Sequence, residues 1–209
     1  MVHLIGAGGH GKVCLEALVL AGCEVRLLDG DPGLTGKEVL GHPILREEKV
    51  LASLEWPVDF FVAIGDPASR RRLVERWESR GHTLVRLVHP RAMVSPSARI
   101  EGGVAILAGA VVGVEAEIGK GTIVNTGATV DHDCRIGAFA HVAPGAHIAG
   151  AVEVGEGAWV GIGAAVREGL SIGARTVVGA GAVVVDDLPK DVVAFGNPCR
   201  VVRTIGSQM

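Results

Sequence analysis

The sequence contains no tyrosine, and Phe and Trp bring aromatic residues to only 3% of 209. A core built around large rings is excluded, yet 48% of the residues are apolar, too many for a disordered chain. Proline is scarce, and the 31 glycines follow no G-X-Y period, which excludes collagen. The four cysteines, Cys14, Cys23, Cys134 and Cys199, form no CxxC pair, so neither a zinc ribbon nor a disulfide framework is expected. No apolar run approaches the ~18 residues of a membrane span. A net charge of −3 offers no basic surface to nucleic acid or an anionic membrane. The opening MVHLIGAGGHGK lacks the basic flank and long apolar stretch of a signal peptide, so the chain reads as cytoplasmic with reduced thiols.

What is abundant is Val, Ile, Ala and Gly in a fixed order. Every sixth residue from Val88 through Val94, Ile100, Ile106 and onward to Val178 and Val184 is Val or Ile, without a break. Four residues after most of them stands a small side chain, as at Ala110, Ala128, Cys134, Ala146 and Ala164. A period of six fits neither a flat strand (two) nor a helix (3.6). It fits a short strand followed by a bend, three of which close an 18-residue triangular coil. The aliphatic residue points inward on each side, and coils stack by parallel pairing at ~4.8 Å.

Residues 1–88 have a different character. Val2–Ile5 reads as a strand, Gly6-Ala7-Gly8-Gly9-His10-Gly11 as a turn and Lys12–Ala21 as a helix. Glu24–Leu28, Val58–Ile64 and Thr83–Val88 read as three further strands, and Ala68–Ser79 as a second helix. Strands alternating with helices imply a parallel sheet, whose ligands sit beyond the strand carboxyl ends. The glycine turn, Asp29 and Gly65-Asp66 would then share one crevice. Gly6, Gly8 and Gly11 satisfy G-x-G-x-x-G between strand and helix, and Asp29 stands where a ribose-binding acid is expected. The unit is too short for a complete dinucleotide fold, so a mononucleotide or a nucleotide-diphosphate sugar fits better.

Three histidines fall within the repeats: His132, His141 and His147. His132 lies between Asp131 and Asp133, and an acid beside an imidazole fixes its tautomer and supports the imidazolium. Neighbours on a strand point to opposite faces, so either acid reaches the ring only if a corner bends the chain. His141 is half a coil away, on a different side of the triangle. Gly150 is 18 residues after His132, one coil above it, where its N–H could face an oxyanion. Cys134 occupies the small inward position of its hexad and reads as core.

These features carry a resemblance. The repeats over residues 94–188 resemble the hexapeptide acyltransferases, built on a left-handed parallel β-helix. The whole of residues 2–203 resembles bacterial sugar acetyltransferases that join a Rossmann-like domain to such a helix. It rests on Gly6-Ala7-Gly8-Gly9-His10-Gly11, Leu28-Asp29, Ala63-Ile64-Gly65, His132-Asp133-Cys134, His141 and Gly196-x-Pro198. The resemblance implies a nucleotide-sugar-binding domain over residues 1–88 and an acetyltransferase domain over residues 89–209. It further implies acetyl-CoA as co-substrate, no metal, a nucleotide-linked amino sugar as acceptor and a homotrimer. Residue by residue, His132 resembles the general base, Asp133 its orienting acid, His141 a contact to substrate or acetyl group, and Gly150 a donor near the acetyl oxygen. Gly8, Gly9, His10, Asp29 and Gly65 resemble the nucleotide-sugar contacts. His141, Ile162, Ser171 and Arg200 resemble residues along the coenzyme groove. O-acetylation of sialic acid is the alternative within this reading. A zinc lyase of γ-carbonic-anhydrase type, with His132, His141 and His147 as ligands, and a non-catalytic scaffold stand outside it.

Overall fold

The structure, a computed structural model, describes residues 1–206. The chain divides into two compact units, Met1–Pro90 and Arg91–Met209.

The first unit is an α/β sandwich. In chain order it contains β1 (Val2–Ile5), α1 (Gly9–Leu20), β2 (Val25–Asp29), β3 (Glu38–Val39), β4 (His42–Pro43), β5 (Leu45–Arg46), α2 (Glu47–Ser53), β6 (Asp59–Val62), α3 (Pro67–Glu78) and β7 (Thr83–Leu84). The main sheet runs β5-β2-β1-β6-β7 and every pair is parallel. Central β1 is buried along its whole length, as expected of a parallel strand covered on both faces. Asp66 caps α3 by accepting from the Ser69 N–H at 2.7 Å, with Pro67 at the first helical position.

The first unit differs from the sequence reading in several places: the strand read over Thr83–Val88 stops at Leu84, and Leu87–Val88 forms a separate strand outside the main sheet. Helix α1 starts at Gly9 instead of Lys12, because extended Gly8 serves as its N-cap and the Lys12 N–H already donates to the Gly8 carbonyl at 3.0 Å. Half of the glycine motif is therefore the first helical turn. The sheet also has five strands instead of four. Edge strand β5 and α2 arise from residues 45–53, where a two-residue strand is too short to show a period-two pattern.

The second unit is a left-handed parallel β-helix. Two-residue strands recur every six residues from Met93–Val94 to Val183–Val184. They pair across 18 residues: Arg99 with Glu117, Val111 with Thr129, Ile123 with His141. Each coil thus contributes one strand to each of three parallel sheets. The inward column Ile106, Val124, Val142, Val160 and Val178 is fully buried, as is the small column Ala110, Ala128, Ala146, Ala164 and Ala182. Each inward Val or Ile contributes roughly 1.5–3 kcal/mol relative to exposure. Strand Val192–Phe195 extends one sheet and pairs antiparallel with Arg200–Thr204. Outward residues distinguish the sides. One sheet presents Arg99, Glu117, Arg135 and Glu153, with Arg99 paired to Glu117 at 2.7 Å. Another presents Met93, Val111, Thr129, His147, Ala165 and Val183, none of them an acid, Lys or Arg. Among the described residues no helix is long and apolar enough to cross a membrane.

Candidate functional site

In the first unit the glycines sort by what surrounds them. Gly6 has φ +108°, and a Cβ there would lie 2.9 Å from the Ala63 carbonyl oxygen. A Cβ on Gly11 would stand 2.1 Å from the Gly6 carbonyl oxygen. The fold requires both. Gly8 and Gly9 have ordinary φ values, and a Cβ on either would meet nothing within 4 Å, so the fold does not require them. They leave open space at the N-terminus of α1, where backbone N–H groups and the helix dipole favour an anion.

The residues around this turn are held in place. Asp29, at the end of β2, accepts from the Ala7 N–H at 2.7 Å and the Asp31 N–H at 2.8 Å. It braces the glycine turn as well as lying beside the opening. His10, on the first turn of α1, sits 3.5 Å from the Cys14 thiol. Burial, then the Arg70 guanidinium, holds its pKa down at about 4, so the ring is neutral at pH 7. Arg70 is a residue that the sequence reading missed. It is fully buried on α3 and donates to the Ile64 and Gly65 carbonyls at 2.8 and 2.6 Å. Gly65, three residues beyond the end of β6, is thus fixed by a cation. An arginine four residues into an amphipathic helix looks like a surface residue in sequence, and only its burial marks it. His3 and His82 are also buried, packed on Trp77, in a structural role.

In the β-helix, His132 lies in the corner between strands Thr129–Val130 and Arg135–Ile136. Asp133 has φ +59°, a left-handed residue that turns the chain there. That bend resolves the strand-neighbour problem. The His132 Nδ1–H donates to Asp133 Oδ2 at 2.7 Å, while Asp131 Oδ1 accepts from the His132 backbone N–H at 2.8 Å. Asp133 therefore orients the ring and Asp131 fixes the backbone. With Nδ1 as donor, Nε2 carries the free lone pair. The Asp133 hydrogen bond first, and the Asp131 charge second, raise the His132 pKa above its ordinary value. Both side chains of the pair are more than half exposed, open to a ligand. Gly150 lies buried beneath the ring, and a Cβ there would stand 2.5 Å from Cε1 and 2.6 Å from Nε2.

His141 occupies a different sheet, on strand His141–Val142. It is buried, with the Trp159 ring packed against it at a centroid distance of 4.1 Å and tilted by 51°. Asn125 Nδ2 donates to its Nε2 at 3.0 Å, and the Asn125 amide is itself oriented by accepting from the Thr126 N–H. The sequence reading missed Asn125 and Trp159. The 18-residue register held the signal, since Trp159 is the residue one coil above His141. His147 lies on the third sheet, exposed, 3.0 Å from the Thr129 hydroxyl. The three histidines therefore stand on separate elements of one protomer. Among the described residues no group of three or more His, Cys, Asp or Glu is placed to hold a metal ion.

The expected coenzyme residues divide in the same way. Ser171 begins a strand on the charged sheet, two coils above Arg135, with its N–H bound to Asp187. Ile162 is 60% exposed in the corner after Trp159–Val160, on the His141 side. Arg200 is paired with Asp186 at 2.9 Å, both exposed. Cys134 is buried, its thiol donating to the Ala149 carbonyl at 3.1 Å, and Cys199 is buried too.

A hexapeptide prism with an acid-oriented imidazole at a corner, in a chain that also carries an anion-favouring glycine turn, defines an acyl-transfer enzyme of the nucleotide-binding type. The comparisons agree. Residues 1–77 match the PglD N-terminal domain family. A variant of GDP-perosamine N-acetyltransferase from Caulobacter crescentus, solved with CoA and GDP-perosamine, is 44% identical. The match covers 97% of this chain and 96% of that one, with a TM-score of 0.92. The acetyltransferase domain of PglB from Neisseria gonorrhoeae, solved with acetyl coenzyme A, is 39% identical over 96% of this chain and 98% of that one, with a TM-score of 0.90. UDP-N-acetylbacillosamine N-acetyltransferase from Bacillus subtilis is 42% identical over 114 residues, a match spanning about half of each protein, 51% in both. The chain belongs to the family of acetyl-CoA-dependent sugar N-acetyltransferases that combine a PglD-type first domain with a hexapeptide-repeat β-helix.

Proposed function

We propose that this protein transfers the acetyl group of acetyl-CoA to the amino group of a nucleotide-linked amino sugar. The observation that carries the reading is the His132–Asp133 pair set over Gly150, in a chain whose first unit offers an open glycine turn to a phosphate. The matched proteins solved with CoA and GDP-perosamine, and with acetyl coenzyme A, support the same substrates.

The chemistry follows from the tautomer. Asp133 holds the proton on Nδ1, so Nε2 takes the proton that the sugar amine releases as nitrogen attacks the thioester carbonyl. The C–N bond forms while negative charge collects on the carbonyl oxygen, for which the backbone N–H of Gly150, the residue packed against the ring, is the proposed donor. Collapse breaks the C–S bond, and the His132 imidazolium returns its proton to the departing thiolate. No covalent acyl-enzyme is required, since Cys134 is buried and bonded to a carbonyl. In the first unit, Gly8 and Gly9 admit the diphosphate to the start of α1, with His10, Asp29 and Gly65 around it.

The working form is a homotrimer, and two features support it. His132 and Ser171 lie toward one edge of the prism while His141 and Ile162 lie toward another, so a site using all four needs two copies. The sheet presenting Met93, Val111, Ala165 and Val183 has apolar side chains to bury, while the sheet of Arg99, Glu117, Arg135 and Glu153 suits solvent. A cytoplasmic setting accords with four unpaired cysteines, three of them buried. The deciding experiment is acetyl-CoA turnover against UDP- and GDP-linked amino sugars and free sialic acid. Release of CoA thiol with an amino sugar supports the reading; release with sialic acid alone overturns it.

A further inference from the structure

We infer that Arg46 determines which nucleotide the protein accepts, by donating from its guanidinium to a carbonyl oxygen of the nucleobase. The inference rests on the nucleotide-sugar reading and names the part of that ligand which the glycine turn does not address.

Arg46 is the last residue of β5 and pairs in register with Asp29, the last residue of β2. The carboxyl ends of these parallel strands lie side by side, and Asp29 is joined through its carboxylate to the Ala7 N–H of the glycine turn. Arg46 therefore stands one strand outward from the place proposed for the phosphates. A cavity of about 320 Å³ opens beside it, walled by Thr35, Gly36, Ile44 and Val50. The walls are mostly apolar, as suits a flat ring, and its charged side chains are Arg46 and Lys49.

The guanidinium is only partly used. Nη2 donates to Glu48 Oε2 at 3.3 Å. Nη1 is buried and has no hydrogen-bond partner among the described residues. A buried guanidinium N–H without an acceptor is destabilising, and an acceptor supplied by a ligand removes that penalty. Glu48 directs the second nitrogen elsewhere, so Nη1 has one job left. In an apolar slot the matching group is a carbonyl on a planar ring. Uracil and guanine carry one on the Watson–Crick edge; adenine carries an amino group there, which clashes as donor against donor. A phosphate oxygen is the other acceptor that could fill the role. The apolar walls and the separate glycine turn favour the base.

The test is calorimetric titration of the full chain with UDP, GDP, ADP and inorganic pyrophosphate, in the wild type, Arg46→Met and Arg46→Gln. The wild type should prefer UDP or GDP to ADP. Arg46→Met should weaken the preferred nucleotide by about tenfold or more, the loss expected for a charge-assisted hydrogen bond, and leave ADP and pyrophosphate unchanged. Arg46→Gln, a neutral donor, should recover part of the preference and provides a second readout if the Met variant misfolds. In acetyl transfer the variants should raise KM for the sugar nucleotide and keep kcat. Equal weakening of all four ligands would overturn the inference in favour of a phosphate contact, and an unchanged preference in a folded variant would remove Arg46 from recognition. A wild type that binds no nucleotide would instead sink the nucleotide reading itself.

Discussion

The His132 ring lies against Gly150, the residue one coil further along the chain, so closely that a methyl group at position 150 would lie 2.5 Å from Cε1. Gly150 does not have a left-handed φ, so its backbone would accept Ala without strain. The glycine is there for the ring. Gly150→Ala should therefore leave the melting temperature close to wild type, since the exposed ring can swing away. It should displace His132 from Asp133 and lower kcat by about tenfold or more, as expected when a general base is misplaced. Thermal melting and steady-state kinetics on the same preparation check both halves. A full kcat in a well-folded Gly150→Ala would show that the ring position does not matter.

Removal of the proposed base should cost more. His132→Ala is expected to lower kcat by a factor on the order of 10²–10⁴. Near-normal turnover in that variant, with activity abolished in His141→Ala, would reverse the two roles.

The pH profile reads the His132–Asp133 pair. The Asp133 hydrogen bond is the largest cause of the raised His132 pKa. With the neutral ring as the proposed base, kcat/KM should fall as pH drops through that pKa. Asp133→Asn removes the charge while tolerating the left-handed backbone that position 133 adopts. The imidazolium is then less stabilised and its pKa falls, so the acidic limb should move to lower pH. A limb that stays in place would make Asp133 a surface acid without influence on the ring.

Subunit mixing tests the proposed sharing of the site between copies. His132→Ala and His141→Ala proteins should each be nearly inactive alone. Co-expressed with different tags and purified as mixed assemblies, they should regain part of the wild-type rate, because an interface can pair an intact His132 from one copy with an intact His141 from its neighbour. Sites contained within single protomers would show no recovery. Sedimentation should give three chains per particle.

The glycines of the first unit should respond in opposite ways. Gly11→Ala puts a methyl 2.1 Å from the Gly6 carbonyl oxygen and should destabilise the unit by roughly 1–3 kcal/mol or more, as overpacking does. Gly9→Ala meets nothing within 4 Å. It should fold as well as wild type and lose affinity for nucleoside diphosphates, which denaturation curves and titration calorimetry separate. A Gly9→Ala protein with unchanged affinity would place the phosphates elsewhere.

The sequence by itself determined the β-helix, because its signal is repeated in every coil. One inward aliphatic per six residues and an 18-residue coil fix which residues stack, and so placed Gly150 one coil from His132 in the same column from spacing alone. The same arithmetic leads from His141 to Trp159, although the sequence reading did not take that step. The glycine turn and the alternation of strands and helices were also local, and so legible. The tertiary structure decided what depends on single backbone angles and on burial. The left-handed φ of Asp133 chose that acid over Asp131 as the partner of the imidazole. The edge strand Leu45–Arg46 is two residues long and exists only because β2 offers it hydrogen bonds. Arg70 and Arg46 look like surface cations in a string of letters. One is enclosed beneath the glycine turn, and the other has a buried nitrogen still without an acceptor. Neither fact follows from residue type or spacing, because burial is a property of what packs around a side chain.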